Sequence, residues 1–111
     1  MRHQLDPGLI DWEGEPFEID DANRPHLFSH ERYGEQDLDD ILENDRFLTE
    51  AEPDKGDADW VMVGQPPGEP PLAVPLAPSI HGNTRQARPL GIYPASGRVL
   101  REYLAWRKRE R

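Results

Sequence analysis

The sequence predicts an α+β domain: two N-terminal helices, an antiparallel sheet of three to five strands, and a C-terminal helix. Three observations predict it. Two segments with helix-spaced apolar residues come first. Runs of β-branched and aromatic residues then follow one another across short turns, as in a meander and unlike a βαβ fold. A last helix-spaced segment ends the chain. The 111 residues, 35% hydrophobic and with 12 prolines, fit one domain with one lean core.

Residues 1–15 form a polar arm, with Leu9, Ile10 and Trp12 as its bulky anchors past Leu5. The domain covers 16–106, and 107–111 form a basic tail. Phe17-Glu18-Ile19-Asp20 alternates apolar and acidic, which suits a short half-buried strand. Asp20 and Asp21 can cap a helix starting near Ala22, with Pro25 in its first turn, where a missing N–H costs nothing. His26, Leu27 and His30 share one region of that helix. Glu31–Gly34 connects to a second helix, Glu35–Asn44, with Leu38, Ile41 and Leu42 as its apolar stripe.

Arg46–Thr49 is a candidate strand and Pro53–Asp57 a turn. Trp60–Gly64 combines aromatic and β-branched residues and is the strongest strand of the chain. A Pro-rich connection, 65–71, leads to Leu72–Ala77. Pro75 there removes a ladder donor and predicts an edge strand or a bulge. After a turn at His81–Asn83, a strand runs from Thr84 to Tyr93. Ser96 then stands as the N-cap of the last helix. Its apolar face is Val99, Leu100, Tyr103 and Leu104, with Trp106 beside it, and Arg107–Arg111 suit its C-terminal dipole.

The net charge of −9 conceals a division. Residues 1–60 hold 19 acids and 5 bases, a balance of −14, while 61–111 hold 8 bases and 3 acids, a balance of +5. Such a division concerns partners more than fold. No cysteine is present, which excludes disulfides and thiolate chemistry. No apolar run approaches the ~20 residues of a membrane span, and the first residues carry no apolar stretch like a signal peptide's. A cytoplasmic protein without membrane contact is the expectation. Glycine-rich phosphate loops and the GxSxG and HExxH motifs are absent.

Among chemistry-bearing residues, His26 and His30 lie four apart, a spacing that can hold a metal, yet no third ligand stands at a telling distance, so no metal is expected. Any two carboxylates in so acidic a chain are weak evidence for acid–base work. The basic end says more. From Thr84 onward there are 8 bases and 2 acids. Arg85 and Arg88 fall on a predicted strand, Arg98 and Arg101 on the last helix, and Tyr93 and Tyr103 lie among them. Arginines beside aromatics can hold RNA phosphates and stack on bases. Equally, arginines can decorate a solvated helix and pair with the acidic half.

The string Arg88-Pro89-Leu90-Gly91-Ile92-Tyr93-Pro94-Ala95-Ser96, followed by Arg98 and Arg101-Glu102-Tyr103, resembles the end of the BrnT family, small ribonuclease toxins of toxin–antitoxin operons. In that family a strand reading roughly R-P-I-S-A-R runs into P-A-S/T and a helix ending in E-R-x-x-Y. Phe17-Glu18-Ile19-Asp20-Asp21-Ala22-Asn23 resembles the family's opening F-x-W-D-x-x-N. His26 and His30 match its N-x-x-H-I-x-x-H helix, and Val61-Met62-Val63-Gly64 its central strand. The likeness spans about residues 17–105.

It implies a RelE-like fold, a ribbon-helix-helix antitoxin as partner, RNA as substrate, and cleavage without metal or cofactor. Arg88 and Arg24 would then hold the scissile phosphate and His30 or Tyr93 act as acid–base, with Arg85, Arg98 and Arg101 binding RNA. The departures are plain. The family's second arginine falls on Tyr93, glycine after the second histidine is Glu31, and the chain is acidic, unlike an efficient RNA binder. These departures predict weak or lost cleavage. The other expectation, from the −14 balance, is a non-enzymatic interaction protein whose acidic half binds a basic partner.

Overall fold

The computed structural model describes residues 4–28, 33–44, 46–52 and 56–110. The chain forms an α+β fold. Its helices are α1 (Arg24–Leu27), α2 (Glu35–Glu43) and α3 (Gly97–Arg109). Its strands are β1 (Phe47–Glu50), β2 (Trp60–Gly64), β3 (Leu72–Pro78), β4 (Ala87–Pro89) and β5 (Tyr93–Pro94). The strands make one antiparallel sheet in the order β1-β2-β3-β4, with β5 also paired to β3.

The two-residue period of β2 divides the core. Met62 points to the side of α2 and joins Leu38, Ile41, Leu72, Val74 and Leu76 in the larger cluster. Val61 and Val63 point the other way, where Ala73 and Tyr103 of α3 join them. β3 is covered on both sides, which is why it reads as a near-continuous apolar run. Gly64 ends β2 because α2 passes directly over it. A Cβ there would lie 2.9 Å from Ile41 Cγ2 and 3.1 Å from Ile41 Cα.

Several expectations change. The helix expected from Ala22 is a single turn among the described residues. Asp20 Oδ1 accepts from Ala22 N at 2.9 Å and Asn23 N at 3.0 Å, and Asn23 Oδ1 accepts from Asp20 N at 2.8 Å. Asp20 therefore does not cap the helix: the reciprocal bonds close a tight turn over 21–23, and the helix begins at Arg24 with Asn23 in the N-cap position and no side-chain cap bond. The expected strand at Phe17–Asp20 shortens to one parallel bridge, Phe17 with Ala87. Glu18 N donates to Ala87 O and Ala87 N to Pro16 O, both at 2.8 Å.

Pro75 lies in a central strand rather than at an edge. Its carbonyl accepts from Leu90 N at 2.9 Å, so its donorless nitrogen faces the same flank. The partner strand is interrupted there between β4 and β5, and no ladder donor is needed. This interruption splits the expected strand at 84–93. Residues 84–86 turn instead, with Asn83 Oδ1 accepting from Arg85 N at 3.0 Å.

Ser96 occupies the N-cap position of α3 but makes no side-chain cap bond. Leu104 is 50% exposed, while Tyr103 is fully buried. The packed stripe of α3 is Val99, Tyr103 and Trp106. The N-terminal segment is tied to the domain. Leu5 and Ile10 are buried in the larger cluster, and Leu5 N donates to Asp59 Oδ2 at 2.8 Å. Among the described residues, no helix is long and apolar enough to cross a membrane.

Candidate functional site

Arg88 sits at the centre of the most connected polar cluster. It is the middle residue of β4, opposite Ala77 of β3. The parallel bridge at Phe17 lays residues 16–18 alongside β4 and brings Glu18 next to Arg88. Period-two alternation sends Phe17 and Ile19 into the core and turns Glu18 and Asp20 to the face of Arg88. The guanidinium donates to Glu18 Oε1 at 2.8 Å and to Asp20 Oδ2 and Oδ1 at 2.9 and 3.1 Å.

The loop after β3 completes the cluster. Ser79 Oγ and Ile80 N both donate to the Glu18 carboxylate. His81 Nε2 lies 3.1 Å from Asp20 Oδ2. Arg88 and Glu18 are 8% and 6% exposed, so water does not compete for this pair.

The electrostatics follow from the contacts. The Arg88 guanidinium, and then His81 and the Asn23 backbone N–H, hold the Asp20 carboxyl far below its ordinary range. Burial pushes Glu18 up, but the bonds from Ser79, Ile80 and Arg88 outweigh it and leave the carboxyl lowered. The bonds from Asp20 and Glu18 strengthen the charged form of Arg88 in turn. The ligand atoms of Glu18, Asp20 and His81 all lie within 4.8 Å of one another. A cation in that position would meet the guanidinium already bonded to both carboxylates.

The remaining candidates are dispersed. Tyr93 is on the same sheet face as Arg88 but opposite Ala73, four residues along β3 from the partner of Arg88. That separation is roughly 13 Å at the rise of a strand. Its ring lies across Gly91, and burial pushes its phenol up from the ordinary value. Arg24 is ion-paired with Glu35. His30 lies outside the described residues, and His26 is exposed on α1.

Of the RNA-binding candidates, Arg85 faces Asp11 at 3.8 Å. Arg98 donates to Glu102 at 2.6 Å and to Glu50 O at 2.8 Å. Arg101 is exposed on α3 and makes no such bond among the described residues.

Sequence reasoning selected Arg88 but missed what holds it. A signal existed. Glu18 and Asp20 stand two apart in an alternating segment, so both carboxylates had to share the face opposite Phe17 and Ile19. Ser79 and His81 carried no such mark, because a loop's position is set by the strands on either side of it. Comparison with family models, with curated proteins and with solved structures returns no match to this chain.

Proposed function

We propose that this chain is a non-enzymatic interaction protein whose acidic face binds a basic protein partner. The observation that carries this reading is the state of the two arginines suited to a phosphate. Glu18 and Asp20 occupy Arg88 in a buried cluster, and Glu35 occupies Arg24. A phosphate entering at Arg88 would meet two carboxylates for one guanidinium, which is repulsive at short range. Exposed carboxylates with no bonded partner among the described residues stand elsewhere, on Glu13, Glu15, Asp21, Asp39 and Glu43.

The BrnT likeness has its place in this reading. The order of a one-turn α1, α2, five antiparallel strands and α3 agrees in part with the two helices, antiparallel sheet and C-terminal helix that the likeness leads one to expect, and it supports a RelE-like ancestry. A ribonuclease fold reused for binding reconciles that element order with the occupied arginines. It also leaves room for a small ribbon-helix-helix protein as the basic partner.

Growth of a bacterial host after induction tests the reading. Cells expressing the chain should grow like cells carrying the empty vector, with total RNA intact. Growth arrest accompanied by RNA fragmentation would overturn it in favour of an active ribonuclease.

A further inference from the structure

A groove of about 810 Å³ opens where both helical layers contribute walls. Trp12, packed on the α2-side core, and Trp106, packed on the α3-side core, both line it. Leu42 adds a third apolar group. Glu13, Asp39 and Glu43 supply the acids. All three are exposed, and among the described residues none makes a hydrogen bond or ion pair. Asp39 and Glu43 are four apart on α2, so their side chains stand one turn above the other.

The groove already contains one cation. The Arg46 guanidinium lies 4.6 Å from the centroid of the Trp12 ring, the geometry of a cation–π contact. Among the described residues its one hydrogen bond is a long one, 3.4 Å to Leu42 O. Among the described residues that line the groove, one guanidinium accompanies three carboxylates, in contrast to the Arg88 cluster, where every charge is hydrogen-bonded. Indole faces bounded by unneutralised carboxylates are the chemistry that holds arginine or lysine side chains: the ring takes the planar or methylene part, and the acids take the charge.

We propose that this groove receives an arginine- or lysine-bearing segment of the partner protein. The inference rests on the acidic-face reading above and assigns it a position. Charge complementarity selects the occupant. An RNA strand would place phosphates against three carboxylates, and an apolar segment would strand those carboxylates without a counter-charge.

The full chain titrated with a blocked peptide of alternating glycine and arginine, read by calorimetry at low salt, tests this. Asp39→Asn/Glu43→Gln should bind about tenfold more weakly, the scale set by removing two charges beside a partly desolvated cation. Glu50→Gln/Glu110→Gln removes the same charge from exposed positions outside the groove and should bind like the wild type. Equal binding by all three proteins would overturn the groove and leave the acidic-face reading standing. No binding by any of them at low salt would overturn both. Binding of a uridine oligonucleotide that Asp39→Asn/Glu43→Gln strengthens, with the peptide bound equally by all three proteins, would assign the groove to RNA and overturn the proposal.

Discussion

Arg88 shows how one residue type serves opposite ends in different surroundings. A guanidinium on a strand is a phosphate ligand only while its donors are free, and here three of its bonds go to Glu18 and Asp20. Breaking a buried pair from one side leaves a charge without its partner. Arg88→Met should therefore destabilise the chain by about 3 kcal/mol, the lower end of the range for such a loss, because Asp20 retains access to water. The midpoint of urea unfolding measures it. If the variant loses nothing, the pair is not the lock that its geometry describes.

The same cluster sets a pH dependence. Glu18 and Asp20 titrate lower folded than unfolded. The stability their ionised forms contribute is thus fully present above the unfolded carboxylate range, about pH 4–4.5, and drains away as pH falls through the folded values. The wild-type urea midpoint should hold level from neutrality to about pH 5 and fall below that. Arg88→Met should show a shallower fall. An identical acid limb in both proteins would place the responsible carboxylates elsewhere.

At the scale of elements, contacts between β2 and the two helices decide how the layers stack. Gly64 has no room for a methyl group. Two of the atoms its Cβ would meet, Ile41 Cα and Ile41 O at 3.1 and 3.2 Å, are backbone and cannot rotate away. Gly64→Ala should cost about 2 kcal/mol, and adding Ile41→Leu, which removes the Cγ2 branch at nearly constant volume, should recover only part of that, since the backbone contacts remain. Full recovery would mean that the Ile41 side chain alone sets the spacing.

On the other layer, Tyr103 is fully buried and Leu104 half exposed. Tyr103→Ala should cost about 3–5 kcal/mol and Leu104→Gln less than about 0.5. Chemical denaturation of the two variants fixes which stripe of α3 faces the sheet. These positions also mark how far the elements could be read in advance. α2, β2 and α3 declared themselves through apolar spacing. Apolar spacing placed Leu104 on the packed face of α3 with Trp106 only beside it, whereas Leu104 is half exposed and Trp106 packs on Phe47 and Tyr103. Pro75 misled because a local rule about proline knows nothing of a gap between β4 and β5.

At the scale of the whole molecule, the fold class and the order of α2, the sheet and α3 were legible because periodicity and turn chemistry are local. The site was legible only in part. Arg88 could be picked out, but its bonds to residues 68 and 70 positions earlier depend on how the chain returns. The groove was invisible for the same reason, since Trp12, Asp39 and Trp106 converge from three distant segments. What the sequence did announce was the charge division, −14 against +5, and it yields a prediction with two readouts. Unneutralised acids at the surface repel one another and disfavour the folded state, and added salt screens that repulsion. Raising sodium chloride from low to physiological levels and beyond should lift the thermal midpoint by on the order of 3 °C, equivalent to about 0.5 kcal/mol for a domain of this size. The buried Glu18–Arg88 pair is screened little and contributes no opposing trend. The same salt series should weaken binding of a basic peptide, because there the screened interaction is attractive. Stability and affinity must therefore move in opposite directions over one series of buffers. If both rise or both fall, the acidic face is neither the source of the repulsion nor the surface the partner meets.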